Sequence, residues 1–451
     1  MMFSKYLREM SRDGTTAVFH ALRPIPVFLN TDSWNQYKKK PEEDDELRHW
    51  FLNQGILVND STDDDALRDE IREMTLGRKM MSILYLVLTK ACNFRCRQCF
   101  QYERHPDIHP ELSSSTSLMT AEIAQAGIDS FVRHIDESDS DELETQIYFY
   151  GGEPLLNWKV LVEALEYADS LKGSRLPKET TYMIVCNGSL VDDEKAAFFS
   201  RHNVSVGLSI DGPKEKNDAF RLSARGEGTF DIIERALRVL QRHEVNVTLS
   251  ITVNSNIVHE LPDIVRWAKN EMGVESISFN FVGGASYAYM GSERPLKDYN
   301  SVLAQKMVES YVVARDIGIY EDKVARKIDD FINHVFKSVD CGAINNQLVV
   351  QPDGNIAFCH ASDDYNVGSV SDPDFRIFGH PDIEAWESAL PINNTACQDC
   401  SAMAICGYGC FHHVRELEEP LAGKDIQFCQ HTKAVMDFLV WDLWEKMQKK
   451  R

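Results

Sequence analysis

The sequence predicts an α/β fold in which six strand–helix units form a partial (β/α)6 barrel. Three observations carry this. From residue 82 onward, short runs of β-branched and aromatic residues alternate with stretches of helical length. Several of the strand-like runs end in glycine or polar residues. Ten of the eleven cysteines fall into two groups, Cys92 to Cys99 and Cys341 to Cys429, one leaving the first strand and one following the last unit. Strands alternating with helices imply βαβ units and a parallel sheet, and a barrel of such units gathers its active groups at the carboxyl ends of its strands.

Residues 1 to 80 precede the repeating pattern and read as a small N-terminal α+β module. In it Ala17–Leu22, Pro26–Asn30 and Gly55–Val58 are expected as short strands, and Ser33–Lys40 and Asp44–Asn53 as helices. Asp60–Glu73 reads as a linker with a surface helix, and Lys38, Lys39 and Lys40 as solvated surface. The core, residues 81 to 300, has strands at Ile83–Thr89, Gln146–Tyr150, Tyr182–Asn187, Val204–Ile210, Val247–Val253 and Ile277–Val282. Helices are expected between them at Thr120–Ile135, Trp158–Leu171, Asp192–Arg201, Phe230–His243 and Glu260–Met272. A long helical segment, Asp298 to Phe336, covers the connecting stretch 301 to 340 and closes the core. Residues 341 to 451 then hold the second cysteine group and a C-terminal helix.

A formal charge of −22 argues against nucleic acid as a partner, because such binders need a basic footprint. No uninterrupted apolar stretch approaches the roughly 20 residues of a membrane helix, and Met1 to Arg8 has no long apolar run. The expectation is a cytoplasmic protein without a membrane partner. That compartment keeps thiols reduced, so the cysteines read as metal ligands rather than as a disulfide framework. Cys186, inside a strand-like run, reads as a small buried hydrophobe.

The first group is Cys92-Asn93-Phe94-Arg95-Cys96-Arg97-Gln98-Cys99, on a loop leaving the first core strand. Thiolates this close can share an iron–sulfur cluster or a zinc ion, and three ligands leave one coordination position open. The second strand ends in Tyr150-Gly151-Gly152-Glu153-Pro154. The glycines let the main chain approach a ligand, and Glu153 supplies an anionic acceptor. A Gly-Gly turn with a surface glutamate is the plain alternative. The third strand ends in Cys186-Asn187-Gly188, and the fourth in Ser209-Ile210-Asp211-Gly212, followed by Arg221. A guanidinium can hold a carboxylate through two parallel hydrogen bonds. Asn254, at the end of the fifth strand, reads equally as a ligand contact or a helix cap.

These segments, at successive strand ends, resemble the core of the radical S-adenosylmethionine (radical SAM) enzymes. The resemblance implies a [4Fe–4S] cluster on Cys92, Cys96 and Cys99, with its open iron chelated by the amino and carboxylate groups of S-adenosylmethionine. It implies that Gly151, Gly152 and Glu153 hold the methionine amino group, and that Ser209, in a segment with Asp211, lies near the cofactor's ribose or carboxylate. Arg221 would pair with that carboxylate, and Asn187 and Asn254 would complete the cofactor site.

The second group comprises Cys341, Cys359 with Gly354 before it, Cys397-x-x-Cys400, Cys406, Cys410 and Cys429. This is similar to the seven-cysteine pattern of the SPASM domain, which implies two auxiliary [4Fe–4S] clusters and three in all. One would use Cys397, Cys400, Cys406 and Cys429, the other Cys341, Cys359 and Cys410. Gly342 to Gln347 contains no cysteine to complete the latter, so its fourth position is open or taken by another group. From the residues alone, zinc suits Cys397-x-x-Cys400 as well.

Sulfatase-maturing members of this group place an aspartate base immediately after the cysteine equivalent to Cys359. Here the residue is His360, which reads as a base or as a cluster-side histidine without a proton-transfer role. His412 and His413 either hydrogen-bond near a cluster sulfur or face solvent. The resemblance therefore implies a peptide maturase. Reductive cleavage of S-adenosylmethionine gives a 5′-deoxyadenosyl radical that takes hydrogen from a ribosomally made precursor peptide, and a thioether or carbon–carbon crosslink then closes. The implied partners are that peptide and a reductant such as flavodoxin or ferredoxin. The N-terminal module resembles the winged-helix-like modules that hold a leader peptide along a strand edge, or is a plain extension. The alternatives are oxidation of a protein serine or cysteine, a small-molecule dehydrogenase, and a non-catalytic zinc-binding interaction protein.

Overall fold

One open sheet runs from the core into the C-terminal region. The computed structural model describes residues 1–41, 44–99, 118–140, 143–282, 298–416 and 423–449. The N-terminal module contains β1 (Met2–Phe3), β2 (Leu7–Arg12), β3 (Thr15–His20) and β4 (Arg23–Asn30). Helices Thr31–Tyr37 and Asp45–Asn53, β5 (Leu57–Val58) and helix Ser61–Thr75 follow. Strands β2, β3 and β4 form an antiparallel sheet with β2 at one edge, and β1 pairs with β5. Strand β2 is a correction to the sequence reading. Leu7-Arg8-Glu9-Met10-Ser11-Arg12 is a half-exposed edge strand rich in charge, which blunts edge pairing and hides the usual apolar alternation. The turn that creates it is Asp13-Gly14, with both φ angles positive at 48° and 76°, the chemistry of a two-residue hairpin.

The core strands are β6 (Ile83–Thr89), β7 (Gln146–Gly151), β8 (Thr181–Cys186), β9 (Val204–Ser209), β10 (Val247–Val253) and β11 (Ser276–Phe281). They pair in parallel, each with its neighbour in sequence, as βαβ units require. On one face Leu84, Leu86, Ile147, Phe149, Ile184, Val206, Leu208, Leu249, Ile251 and Phe279 are fully buried. The alternate positions are half-buried: Tyr85, Tyr148 and Tyr150 on β6 and β7, and Ser209, Ser250, Thr252 and Asn280 on β9 to β11. Cys186 is buried, 2% exposed, as a small apolar side chain.

The expected helix from Asp298 to Phe336 is two helices, Tyr299–Ile317 and Asp322–Ile332. Gly318 adopts φ 69° and ends the first, a left-handed cap that glycine takes without a Cβ penalty. β12 (Tyr320–Glu321) then pairs with β11, and both Glu321 oxygens cap the second helix, accepting from Lys323 N at 2.9 Å and Val324 N at 3.0 Å.

On the far side, β13 (Gln347–Val350) pairs in parallel with β6, and β14 (Asn355–Ala357) and β15 (Asn366–Ser369) follow antiparallel. The sheet order is β12-β11-β10-β9-β8-β7-β6-β13-β14-β15. The C-terminal helix Ile426–Lys449 packs on helix Tyr299–Ile317 and meets β4, where Phe28 and Trp444 rings lie 4.9 Å apart. No helix among the described residues is long and apolar enough to cross a membrane.

Candidate functional site

Gly151 has φ 147°, and a Cβ there would lie 2.3 Å from Thr89 O; at Gly152 it would lie 2.3 Å from Ala91 O. The pair therefore lets the end of β7 run against the turn leading from β6 to Cys92, fastened by Gly152 N to Thr89 O at 2.9 Å and Glu153 N to Ala91 O at 2.8 Å. The glycines serve an approach of chain to chain at this point. Glu153 is fully buried, so the surface-glutamate alternative is out. Its two oxygens accept from Leu155 N at 3.1 Å and Asn187 N at 2.8 Å, bracing the end of β7 against the end of β8. Burial pushes its carboxyl up to about 7, while the two N–H donors pull the other way. Asn187 in turn places Nδ2 at 3.8 Å from Cys92 Sγ and 2.9 Å from Asn93 Oδ1.

The cysteine loop is also tied to the segment after β9, through Arg95 N to Leu222 O at 2.7 Å and Arg97 N to Phe220 O at 2.9 Å. Asp211, fully buried, accepts three hydrogen bonds and has one further ion-pair contact, from Arg221 Nε, which lies close without donating. Arg221 Nη2 reaches Oδ1 at 2.9 Å and Nε reaches Oδ2 at 2.8 Å, Thr252 N donates to Oδ1 at 2.9 Å, and Gln98 Nε2 donates to Oδ2. Arg221, expected to meet a cofactor carboxylate, here meets Asp211 and sits close enough to Cys96 to favour its thiolate. Ser209 is half-buried two residues before Asp211. Asn254 is buried at the end of β10; its Oδ1 caps the following turn through Asn256 N at 2.9 Å, while Nδ2 has no partner. Gln98, to which the sequence reading gave no role, likewise has a buried Oε1 without a partner among the described residues.

Cys92, Cys96 and Cys99 lie within mutual electrostatic reach, and burial pushes Cys92 and Cys96 up to about 12. Cys341, Cys359 and Cys410 form a second set, with Cys341 pushed up to about 12 by burial and Cys359 well above its ordinary value. Cys397, Cys400, Cys406 and Cys429 line one cavity with Met403 and Tyr408, and burial raises Cys397 to about 11 and Cys406 to about 12. Cys397, Cys400, Cys406 and Cys429 thus share a cavity, and the members of the other two groups feel one another's charge. Buried thiols of this kind ionise only against a cation, so metal binding to them releases protons.

His360 lies between Tyr85 and Tyr150, at ring-centroid distances of 4.9 Å and 4.8 Å. Burial lowers it to about 4, which leaves it neutral at pH 7. Tyr150, whose hydroxyl is raised first by burial, also feels both Cys99 and Cys359. The sequence places Tyr85 and Tyr150 in strands but not against His360, because alternation marks a strand face and not what opposes it. His412 is buried against Tyr365, Nδ1 to OH 3.1 Å. His413 hydrogen-bonds Cys410 and lies 3.3 Å from Asp425; burial opposes its charge, yet these partners hold it well above the ordinary value.

Among the described residues, no group of three or more His, Cys, Asp or Glu forms a ready site for one metal ion. An iron–sulfur cluster distributes its cysteine thiolates over separate irons, and cysteines in threes and fours are a donor set for such clusters. The orphaned Gln98 Oε1 and Asn254 Nδ2 fit a bound polar cofactor, since buried polar atoms are otherwise satisfied.

Residues 86–268 match the family model described as "Radical SAM superfamily". The chain is 24% identical over 450 residues, 91% of this chain and 89% of the relative, to the radical SAM cyclopropyl synthase TigE of Paramaledivibacter caminithermalis. A solved structure, native anSMEcpe with bound AdoMet and Cp18Cys peptide, superposes with TM-score 0.66 at 20% identity, covering 82% of this chain and 99% of that one. Streptococcus suis SuiB superposes with TM-score 0.55 at 12% identity over 94% of this chain and 99% of that one, and has also been solved with its precursor peptide SuiA. At these identities the two structures speak for the fold.

Proposed function

We propose, on the premise that this chain carries a radical SAM domain and is an enzyme of that superfamily, that it is a peptide maturase. It installs an oxidative crosslink, thioether or carbon–carbon, in a ribosomally made precursor peptide. The observation that carries this reading is Tyr150, whose ring lies 4.8 Å from that of His360, the residue after Cys359, and whose hydroxyl feels the charge of both Cys99 and Cys359. A substrate lying over it would meet the first cysteine loop and the second cysteine region together. The solved relatives with bound peptides, anSMEcpe with Cp18Cys and SuiB with SuiA, support a peptide as the class of substrate.

When bound, S-adenosylmethionine and [4Fe–4S] clusters supply what the side chains lack, a 5′-deoxyadenosyl radical formed by reductive cleavage and a sink for the electron the substrate gives up. Cys92, Cys96 and Cys99 would hold the first cluster. In a SPASM-type region, Cys397, Cys400, Cys406 and Cys429 would hold the second, and Cys341, Cys359 and Cys410 the third. The end of the core sheet, read as a partial barrel over residues 81 to 300, forms the cofactor site. Gly151, Gly152 and Glu153 shape its floor, Asn187 and the Asp211–Arg221 pair fix the loop against it, and Ser209 and the free Asn254 Nδ2 contact the cofactor. His360, unprotonated at pH 7 because burial lowers it to about 4, is the base nearest this point and, being weak, relays the proton that leaves the substrate rather than keeping it. The N-terminal module, whose β2 lies at a sheet edge with no further strand beside it among the described residues, holds the leader by strand addition, the charges on β2 selecting which peptide pairs there, and a flavodoxin- or ferredoxin-class donor supplies the electrons.

The test is mass spectrometry of short peptides encoded beside the gene, incubated anaerobically with reconstituted protein, dithionite and S-adenosylmethionine. Loss of two hydrogens per crosslink is expected. Conversion of a cysteine or serine to an aldehyde, with no crosslink in any such peptide, would contradict it.

A further inference from the structure

We infer that the N-terminal module is part of the enclosure of the Cys397, Cys400, Cys406 and Cys429 set, with Arg8 as the positioning residue that fixes the turn between Cys397 and Cys400. This rests on the reading that these four thiols hold an iron–sulfur cluster. Arg8 Nη2 donates to the carbonyl of Gln398, the residue after Cys397, while Nη1 donates to the carbonyls of Lys5 at 3.0 Å and Leu7 at 2.7 Å. One planar guanidinium thereby joins two segments 390 residues apart. Asp399 and Cys400 lie within reach of its charge.

Two further contacts make the joint more than a surface touch. Tyr6, Ala21, Leu22 and Ile71 of the module share an apolar cluster with Ile392 and Met403, and Cys397 packs against it. On the other flank, the buried Lys327 donates to the carbonyls of Ile405 at 3.1 Å and Cys406 at 3.4 Å. The cysteine segment is therefore gripped at both ends by cations from outside it, Arg8 at residue 398 and Lys327 at residues 405 and 406. Its own structure is limited to the short 3-10 turns Thr395–Cys397 and Met403–Ile405, which hold little shape without neighbours. A guanidinium suits this task better than an ammonium, because its two terminal nitrogens reach carbonyls on both segments at once.

Groups that orient metal ligands without touching the metal typically change metal affinity about 10-fold to 100-fold when removed. The experiment compares the parent, Arg8→Gln, Arg8→Lys and Arg12→Ala after anaerobic reconstitution, following iron release to a chelator and the electron paramagnetic resonance of the reduced protein. Arg12 is the control, because it lies on the same strand but contacts Asp437 and Trp441 and not the cysteine turn. R8Q is expected to release one cluster's share of iron about 10-fold or more faster than the parent, with one cluster signal altered, R8K to fall between, and R12A to match the parent. Equal release from the parent, R8Q and R8K would overturn the inference, as would R12A behaving like R8Q. A Cys397→Ala, Cys400→Ala double variant keeping the parent's full iron and signal would refute the cluster reading beneath it and the inference with it.

Discussion

Arg221 and Asp211 form a buried two-point ion pair, Nη2 to Oδ1 at 2.9 Å and Nε to Oδ2 at 2.8 Å, and through Gln98 this pair reaches into the loop that carries Cys96 and Cys99. Removing one partner leaves the other charge buried and uncompensated, which costs about 3–5 kcal/mol. Asp211→Ala is therefore expected to lose stability of that order in anaerobic urea denaturation, and to bind iron at the first loop less tightly. A loss under about 1 kcal/mol would show that Arg221 finds solvent or another partner.

Glu153 is predicted to act as a brace whose two oxygens both matter. In Glu153→Gln one of the N–H groups of Leu155 and Asn187 faces an amide NH2 instead of an acceptor. An unsatisfied buried donor costs about 1–3 kcal/mol, to be read from thermal or urea unfolding. An unchanged midpoint would mean that the amide and chain readjust without loss.

Gly152→Ala is predicted to be worse than its size suggests. The new Cβ would lie 2.3 Å from Ala91 O and 2.7 Å from Lys90 O, so backbone rather than a flexible side chain has to move. The displaced turn leads directly to Cys92. Iron content after reconstitution is expected to fall by the first cluster's share, whereas a full complement would show the turn free to shift.

Glu321 gives a pH dependence with a definite sign. Burial raises it from 4.5 to about 8, so the folded chain holds its proton more tightly than the unfolded chain. That contribution to stability is complete below about pH 4.5 and is lost as pH rises through about 8. The stability of the parent minus that of Glu321→Gln should fall steadily between pH 5 and 8 in urea titrations. A pH-independent difference would mean that the capping N–H groups of Lys323 and Val324 keep the carboxylate ionised.

The six core strands were legible because each is a short β-rich run on a strictly local pattern, and their ends agree with the structure to within a residue or two. The two cysteine groups, Cys92 to Cys99 and Cys341 to Cys429, were legible from spacing, whereas the division of the second into two sets came from its resemblance to the SPASM pattern. Strand β2 was not, since Arg8, Glu9 and Arg12 obscure its alternation, although Asp13-Gly14 marks the hairpin. Nor was the pairing of β13 with β6, which joins segments more than 250 residues apart and leaves no local trace. The partner of Arg221 was hidden for a related reason. A two-point guanidinium contact was readable, but whether it meets Asp211 or a ligand depends on how the chain turns after β9.

The most direct test of the central claim is 5′-deoxyadenosine formation from S-adenosylmethionine by the reduced, reconstituted protein, measured beside a Cys92→Ala, Cys96→Ala, Cys99→Ala variant. Formation by the parent is expected, and none above background by the variant, with one cluster's share of iron missing. Equal formation by both, or a colourless parent holding zinc without sulfide, would contradict it.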